Sequence, residues 1–214
     1  MTQPVLHYIF DPLCGWCHGA SSLVEAAARA GARVELHPGL LFAQARELPA
    51  AQRASFRQAD ERIRTLTGAR FGDAYFARLQ NPAPMRFHSL PPAAAVMLAA
   101  GRSQQDGLAL LALVQAAHYE HGRDVSDVAT LAALAATLGF DEAGFATALQ
   151  APETLARVQA AAVGAHRLMG ELGGNGLPTL GLDRGTGTRR MAHERWYGQP
   201  EAFAAQVNAA ASPA

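Results

Sequence analysis

Two cysteines, Cys14 and Cys17, are the whole thiol complement of this 214-residue chain. Gly15 and Trp16 stand between them and His18 follows. A Cys-x-x-Cys pair suits thiol–disulfide exchange, metal ligation or, when His comes next, covalent haem attachment. Haem attachment requires export. Zinc requires two further ligands, for which His118 and His121, at i and i+3 on one helical stretch, have a usable spacing. Nothing in the sequence brings that pair to Cys14.

The flanking elements favour exchange. Val5 to Phe10 is apolar, β-branched and aromatic, with His7 as its polar interruption, and reads as a buried strand. Asp11-Pro12 stops it, because Pro12 cannot donate to a ladder. A helical run from Ala20 to Ala30 follows, with Cys17, Ala20, Val24, Ala27 and Ala28 on one face and Gly31 at its end. Val34 to His37 is a second strand, closed by Pro38-Gly39. The order is strand, helix, strand, with a right-handed parallel crossover. It sets Cys14 at or just before a helix N-terminus, where free N–H groups and the dipole favour a thiolate.

Beyond Gly39 the period becomes helical. Helices are expected from Pro49 to Thr67, Gly72 to Leu79, Pro92 to Ala100 and Leu108 to Glu120. A further helix follows a cap at Ser126 or Asp127, another covers Asp141 to Leu149, and a long one opens at Pro152. Asn81-Pro82-Ala83-Pro84 is a break. No convincing strand is expected before Thr179, so the stretch reads as a helical insertion. Thr179 to Leu182 and Thr188 to Ala192 then form an antiparallel hairpin around a Gly-rich turn. A last helix starts at Gln199-Pro200-Glu201, and the tail Ser212-Pro213-Ala214 reads as frayed.

Composition excludes several classes. Eighteen basic and eighteen acidic side chains balance to zero net charge, so there is no electrostatic case for nucleic acid or an anionic membrane. All the basic residues are arginine. Without lysine there is no Schiff-base chemistry, no lysine-anchored pyridoxal phosphate and no Walker A loop. No basic leader and no span of ~20 apolar residues is visible, which gives a cytoplasmic expectation. In that reducing compartment a Cys pair is more often catalytic than structural.

Three further matches point to a family. Asp11-Pro12-Leu13-Cys14-Gly15-Trp16-Cys17, Gly176-Leu177-Pro178-Thr179 and Trp196-Tyr197-Gly198-Gln199-Pro200-Glu201 resemble motifs of the DsbA-like thiol–disulfide oxidoreductases. The sequence is most similar to their cytoplasmic bacterial members, described as predicted protein disulfide isomerases. The resemblance implies an α/β thioredoxin-like fold with a large inserted all-helical domain. Residues 1–42 and 173–214 would form the thioredoxin-like part. Residues 43–172 would be the insertion, its last helix (152–172) packing back on the sheet.

The resemblance also implies roles. Cys14 would be the exposed nucleophile and Cys17 the buried resolving thiol. Pro178 would be a cis-proline beside the pair rather than an ordinary trans turn proline. Leu177 would offer its backbone to an extended substrate segment. Trp16 would either contact substrate or shield the sulfurs. His18 would either assist proton transfer or be an exposed helix histidine. Asp11 would either accept a proton from the buried thiol or cap the strand end. No cofactor is expected beyond the redox pair. The expected partners are protein or peptide thiols and disulfides, with glutathione or a thioredoxin-type protein for recycling. The Gly-Trp dipeptide stands where the strongly oxidising periplasmic type has Pro-His, which leaves the direction of reaction open; a reducing cytoplasmic pool would keep the pair largely reduced and suggests a reductase or isomerase. Alternatives are a glutathione-linked small-molecule enzyme and a non-catalytic peptide-binding chaperone.

Overall fold

The computed structural model describes residues 3–83 and 85–209. Pro84 and the tail from Ser212 to Ala214 lie outside them. Strand β1 (Val5–Phe10) is followed by α1 (Gly15–Arg29) and β2 (Arg33–Pro38). β1 and β2 pair in parallel, with Leu6 opposite Val34 and Tyr8 opposite Leu36. β5 (Thr179–Asp183) adds antiparallel to the other side of β1, and β6 (Thr188–Met191) adds to β5. The sheet order is therefore β2-β1-β5-β6, with β1 central and β2 at an edge.

Strand alternation decides what each face buries. Leu6, Tyr8, Phe10, Val34, Leu36, Leu180 and Leu182 form one face. They meet Leu23, Val24 and Ala27 of α1 and Phe203 and Val207 of α9 (Pro200–Asn208) in one apolar cluster. The other face is more polar. α8 (Pro152–Glu171) lies against β2, and Leu172 just beyond it fills the space over Gly181.

The rest of the chain forms a second core. α2 (Ala50–Thr67), α3 (Asp73–Gln80), α4 (Leu90–Arg102), α5 (Gln104–Gln115), α6 (Val128–Ala136) and α7 (Glu142–Gln150) surround a cluster containing Ile63, Phe71, Tyr75, Phe87, Ala94, Leu110 and Leu131. Val96 of α4 and Leu111 of α5 join the sheet cluster instead, so the two cores abut.

Three expectations are corrected. The helical region contains a short antiparallel ladder, β3 (Arg46–Leu48) with β4 (Met85–Phe87). Three residues are too few to show a period of two, although Leu48, Met85 and Phe87 are all buried. α1 begins at Gly15 rather than Ala20, with Cys14 at its N-cap, the helix N-terminus where the sequence placed it. The helix expected over Leu108 to Glu120 begins earlier, where Ser103 accepts a bond from the Asp106 N–H, and its last turn, Ala116–Glu120, is π-helical. Of the two candidate caps, Asp127 caps α6 by accepting from the Thr130 N–H.

That π turn meets the start of α3 at Gly72, whose N–H donates to the Tyr119 carbonyl at 2.9 Å. A Cβ at Gly72 would overlap the Glu120 carbonyl, a backbone group that cannot swing away. Gly101, exposed within α4, has open space around it. Gly72→Ala is expected to destabilise the chain by about 1–3 kcal/mol. Gly101→Ala is expected to be neutral or to stabilise by up to about 1 kcal/mol. Urea midpoints of the two variants, compared with the parent, check both signs.

Candidate active site

The site is built where β1 runs out. Asp11 is fully buried, with one carboxylate oxygen accepting from Leu13 N at 2.8 Å and the other from Leu41 N at 2.7 Å. It thereby ties the loop after β1 to the loop after β2. Burial pushes its pKa up, while hydrogen bonds from Ser89 and these two amides oppose the rise. The Cys14 N–H donates to the Asp11 carbonyl at 3.2 Å, closing a turn that starts α1. Cys14 has extended backbone at the N-cap, and its carbonyl accepts the first helical bond, from His18 N at 3.0 Å. Its sulfur therefore stands at the end of the helix where N–H groups lack helical partners.

Cys17, one turn further in, has no exposed surface. The Asp11 N–H reaches its sulfur at 3.4 Å. Burial, and then the neighbouring Cys14, push the Cys17 thiol well up. Asp11 meets Cys17 through its backbone N–H, and its carboxylate is occupied by loop amides, which is the geometry of a strand-end cap.

The second half of the site comes from the other end of the chain. The Leu177–Pro178 peptide is cis. The Cys14 thiol donates to the Leu177 carbonyl at 3.5 Å, which brings positions 163 residues apart into contact. Cys14 is only 7% exposed. The expectation of an openly exposed nucleophile is thus corrected: Cys14 is the more accessible of two buried sulfurs.

Trp16 is half-buried and stacks on Tyr197 with ring centroids 5.7 Å apart. It forms a wall of two cavities. One, about 490 Å³, is lined by Trp16, the Gly176-Leu177-Pro178 segment, Tyr197, Arg62, Arg190 and Glu194. The other, about 290 Å³, holds Cys14 together with Phe42, Asp60, Tyr75 and Tyr119. His18 turns away from both sulfurs. It stacks on Tyr119 at 4.7 Å, and its Nε2 donates to the Arg70 carbonyl at 2.8 Å. It is buried rather than exposed, and burial lowers its pKa. His118 is buried against Tyr75 and Tyr119, with burial pushing it down to about 3. Among the described residues, neither His118 nor His121 joins the cysteines in a group able to hold a metal.

Sequence reasoning missed Asp60. It lies in α2, 5% exposed, with one carboxylate oxygen accepting from Tyr75 OH at 2.7 Å. Its other oxygen sits over Gly15, where a Cβ would overlap it and crowd Ile63 as well. Gly15 is thus the residue that lets α2 close down on the first turn of α1. Burial raises the Asp60 carboxyl to about 7, with the Tyr75 bond opposing. A signal for it exists in the sequence: Asp60 falls four after Phe56 and three before Ile63, on the apolar stripe of its helix.

The chain matches the family model of the DSBA-like thioredoxin domain over residues 5–199. It is similar to the cytosolic disulfide reductase DsbM from Pseudomonas aeruginosa, at 40% identity with a TM-score of 0.84 over 95% of this chain and 96% of that one. The structure of the same protein with GSH gives a TM-score of 0.82 at 40% identity over the same shares. A structure from Nitrosomonas europaea, at 23% identity and a TM-score of 0.76 over 96% of both chains, shares the fold. No curated protein matches the chain.

The Asp60 carboxyl carries a pH signature. Its folded-state pKa, about 7, lies above its ordinary value of 3.8. The folded chain therefore holds a proton that the unfolded chain releases, and this contribution to stability falls as pH rises from about 4 to 7. Asp60→Asn has no such proton and keeps an oxygen for Tyr75. Subtracting its urea-derived stability profile from the parent's is expected to leave a decline across that window of a few kcal/mol. A flat difference would assign the carboxyl an ordinary pKa.

Proposed function

The chain belongs to the DSBA-like thioredoxin domain family, and on that basis we propose that it is a thiol–disulfide oxidoreductase acting as a disulfide reductase or isomerase. Its fold is that of the DsbA-like thiol–disulfide oxidoreductases. The observation that carries the reading is the contact between Cys14, at the N-cap of α1, and the Leu177 carbonyl next to Pro178. Cys14 is the nucleophile and Cys17 resolves. The Cys14 thiolate attacks one sulfur of a substrate disulfide, forming a mixed disulfide and releasing the first substrate thiolate. Cys17, deprotonated, attacks the Cys14 sulfur, releases the second thiolate and leaves a Cys14–Cys17 disulfide. The substrate gains two electrons, and the pair needs no other cofactor. Two thiols of a reductant return the pair to its dithiol form and leave as a disulfide.

Glutathione suits that recycling step. The larger cavity carries Arg62 and the Arg190–Glu194 ion pair to meet its charged ends, beside the apolar wall of Trp16 and Tyr197. The similar Pseudomonas protein has a structure with GSH. For a peptide substrate, the Leu177 backbone offers an extended partner, as in β-augmentation. A reducing, cytoplasmic setting fits this direction, and that neighbour is a cytosolic reductase. Among the described residues no helix is long and apolar enough to cross a membrane.

Reduction of a fluorescent mixed-disulfide peptide by glutathione is expected to require Cys14 absolutely. Cys17→Ser should accumulate a mixed disulfide that mass spectrometry detects and dithiothreitol reverses. Arg62→Ala should raise the KM for glutathione severalfold with kcat little changed. Turnover by Cys14→Ser would exclude the mechanism. The redox equilibrium of the pair with glutathione sets the direction: a potential near about −120 mV would make the protein an oxidant instead.

A further inference from the structure

The polar face of the sheet carries a second group of side chains, remote in role from the cysteines. His7 on β1 pairs in register with Glu35 on the edge strand β2, and His37 lies two residues beyond Glu35 on the same face. The His7 Nδ1 is 3.3 Å from a Glu35 carboxylate oxygen and 3.1 Å from the His37 Nε2. One potential ligand atom from each residue falls within 4.8 Å of the others. All three side chains are half-buried.

This arrangement is awkward for hydrogen bonding alone. Two imidazole nitrogens facing each other can share only one proton, and a proton on His7 Nδ1 serves either His37 or Glu35 well, not both. A cation at the point of convergence satisfies all three lone pairs together. Ligand atoms on a tetrahedral zinc ion, with Zn–N near about 2.0–2.1 Å, are about 3.3 Å apart. The two shorter separations here match that edge. Two imidazoles and one carboxylate form a donor set for a borderline divalent ion rather than for magnesium or calcium.

The surroundings hold the ligands in place. Arg33 pairs with the Glu35 oxygen that does not face His7, fixing which oxygen turns inward. Thr188 of β6 approaches the far ring nitrogen of His7 at 3.5 Å. It reaches across Gly181, where a Cβ would come within 2.7 Å of the threonine methyl. Such outer contacts orient metal-binding histidines.

We propose that His7, Glu35 and His37 form a binding site for a single divalent cation of the zinc type, pinning the edge strand β2 to β1. The site is independent of the thiol chemistry, since it uses neither cysteine. The test is calorimetric titration of Zn²⁺ alone into the chelator-washed full chain carrying Cys14→Ser and Cys17→Ser, which removes every competing thiolate. Saturable binding of one equivalent is expected, unaffected by excess Mg²⁺. His37→Ala and, separately, Glu35→Gln should weaken it by about tenfold or more, with circular dichroism confirming the fold of each. In the otherwise wild-type chain in its disulfide form, zinc should raise Tm, and either substitution should remove that rise while leaving disulfide turnover intact. Glu35→Gln preserves side-chain shape and decides the matter if His37→Ala does not fold. Absence of saturable zinc binding, or binding within threefold of the parent in the folded variants, would overturn the proposal.

Discussion

The Asp11 carboxylate is the constraint on which the site depends. A buried carboxylate is costly unless its oxygens are satisfied, and here each oxygen accepts from the backbone of a different loop. The strand–helix junction that presents Cys14 is therefore fastened to the loop following β2. Because β2 is parallel to β1, both loops emerge at the same end of the sheet. The segment before Pro178 enters at that end too, since β5 runs antiparallel and begins there. Topology brings three chain segments to one place, and one side chain locks two of them.

The helical region is more than a cover. It contributes Asp60 and Tyr75 to the wall around Cys14, and Arg62 and Leu66 to the neighbouring cavity. The Tyr119 ring, from the π turn, packs on His18 of α1. The thiol environment is thus assembled from both cores. Burial shifts Asp60, Cys17 and His18 toward their uncharged forms.

Much of this was legible in the sequence, and the failures have physical causes. The Cys-x-x-Cys pair, the strand before it and the crossover to β2 follow from composition and local period. The segment containing Pro178 was found because a short motif opened a hairpin at the right end of the chain. The β3–β4 ladder escaped because three residues cannot display alternation. His18 was open to misreading because its burial comes from Phe71 and Tyr119, some 50 and 100 positions away, which no helical wheel of α1 contains. Asp60 sits among the apolar members of its helical stripe, where they mask it, although an acid in such a stripe is the unusual residue. The His7–Glu35–His37 group needed the strand register, which only the paired sheet supplies.

Gly15 deserves a wider reading than its place between two cysteines suggests. Its missing Cβ is the room that Asp60 and Ile63 occupy, so the dipeptide is moulded by a helix more than 40 residues downstream. Exchanging such dipeptides between related proteins is usually treated as a local edit to a redox potential. In this chain any larger residue at the first position is also an edit to the seam between two cores. The motif and the overlying helix are best regarded as one inherited part, to be transplanted together.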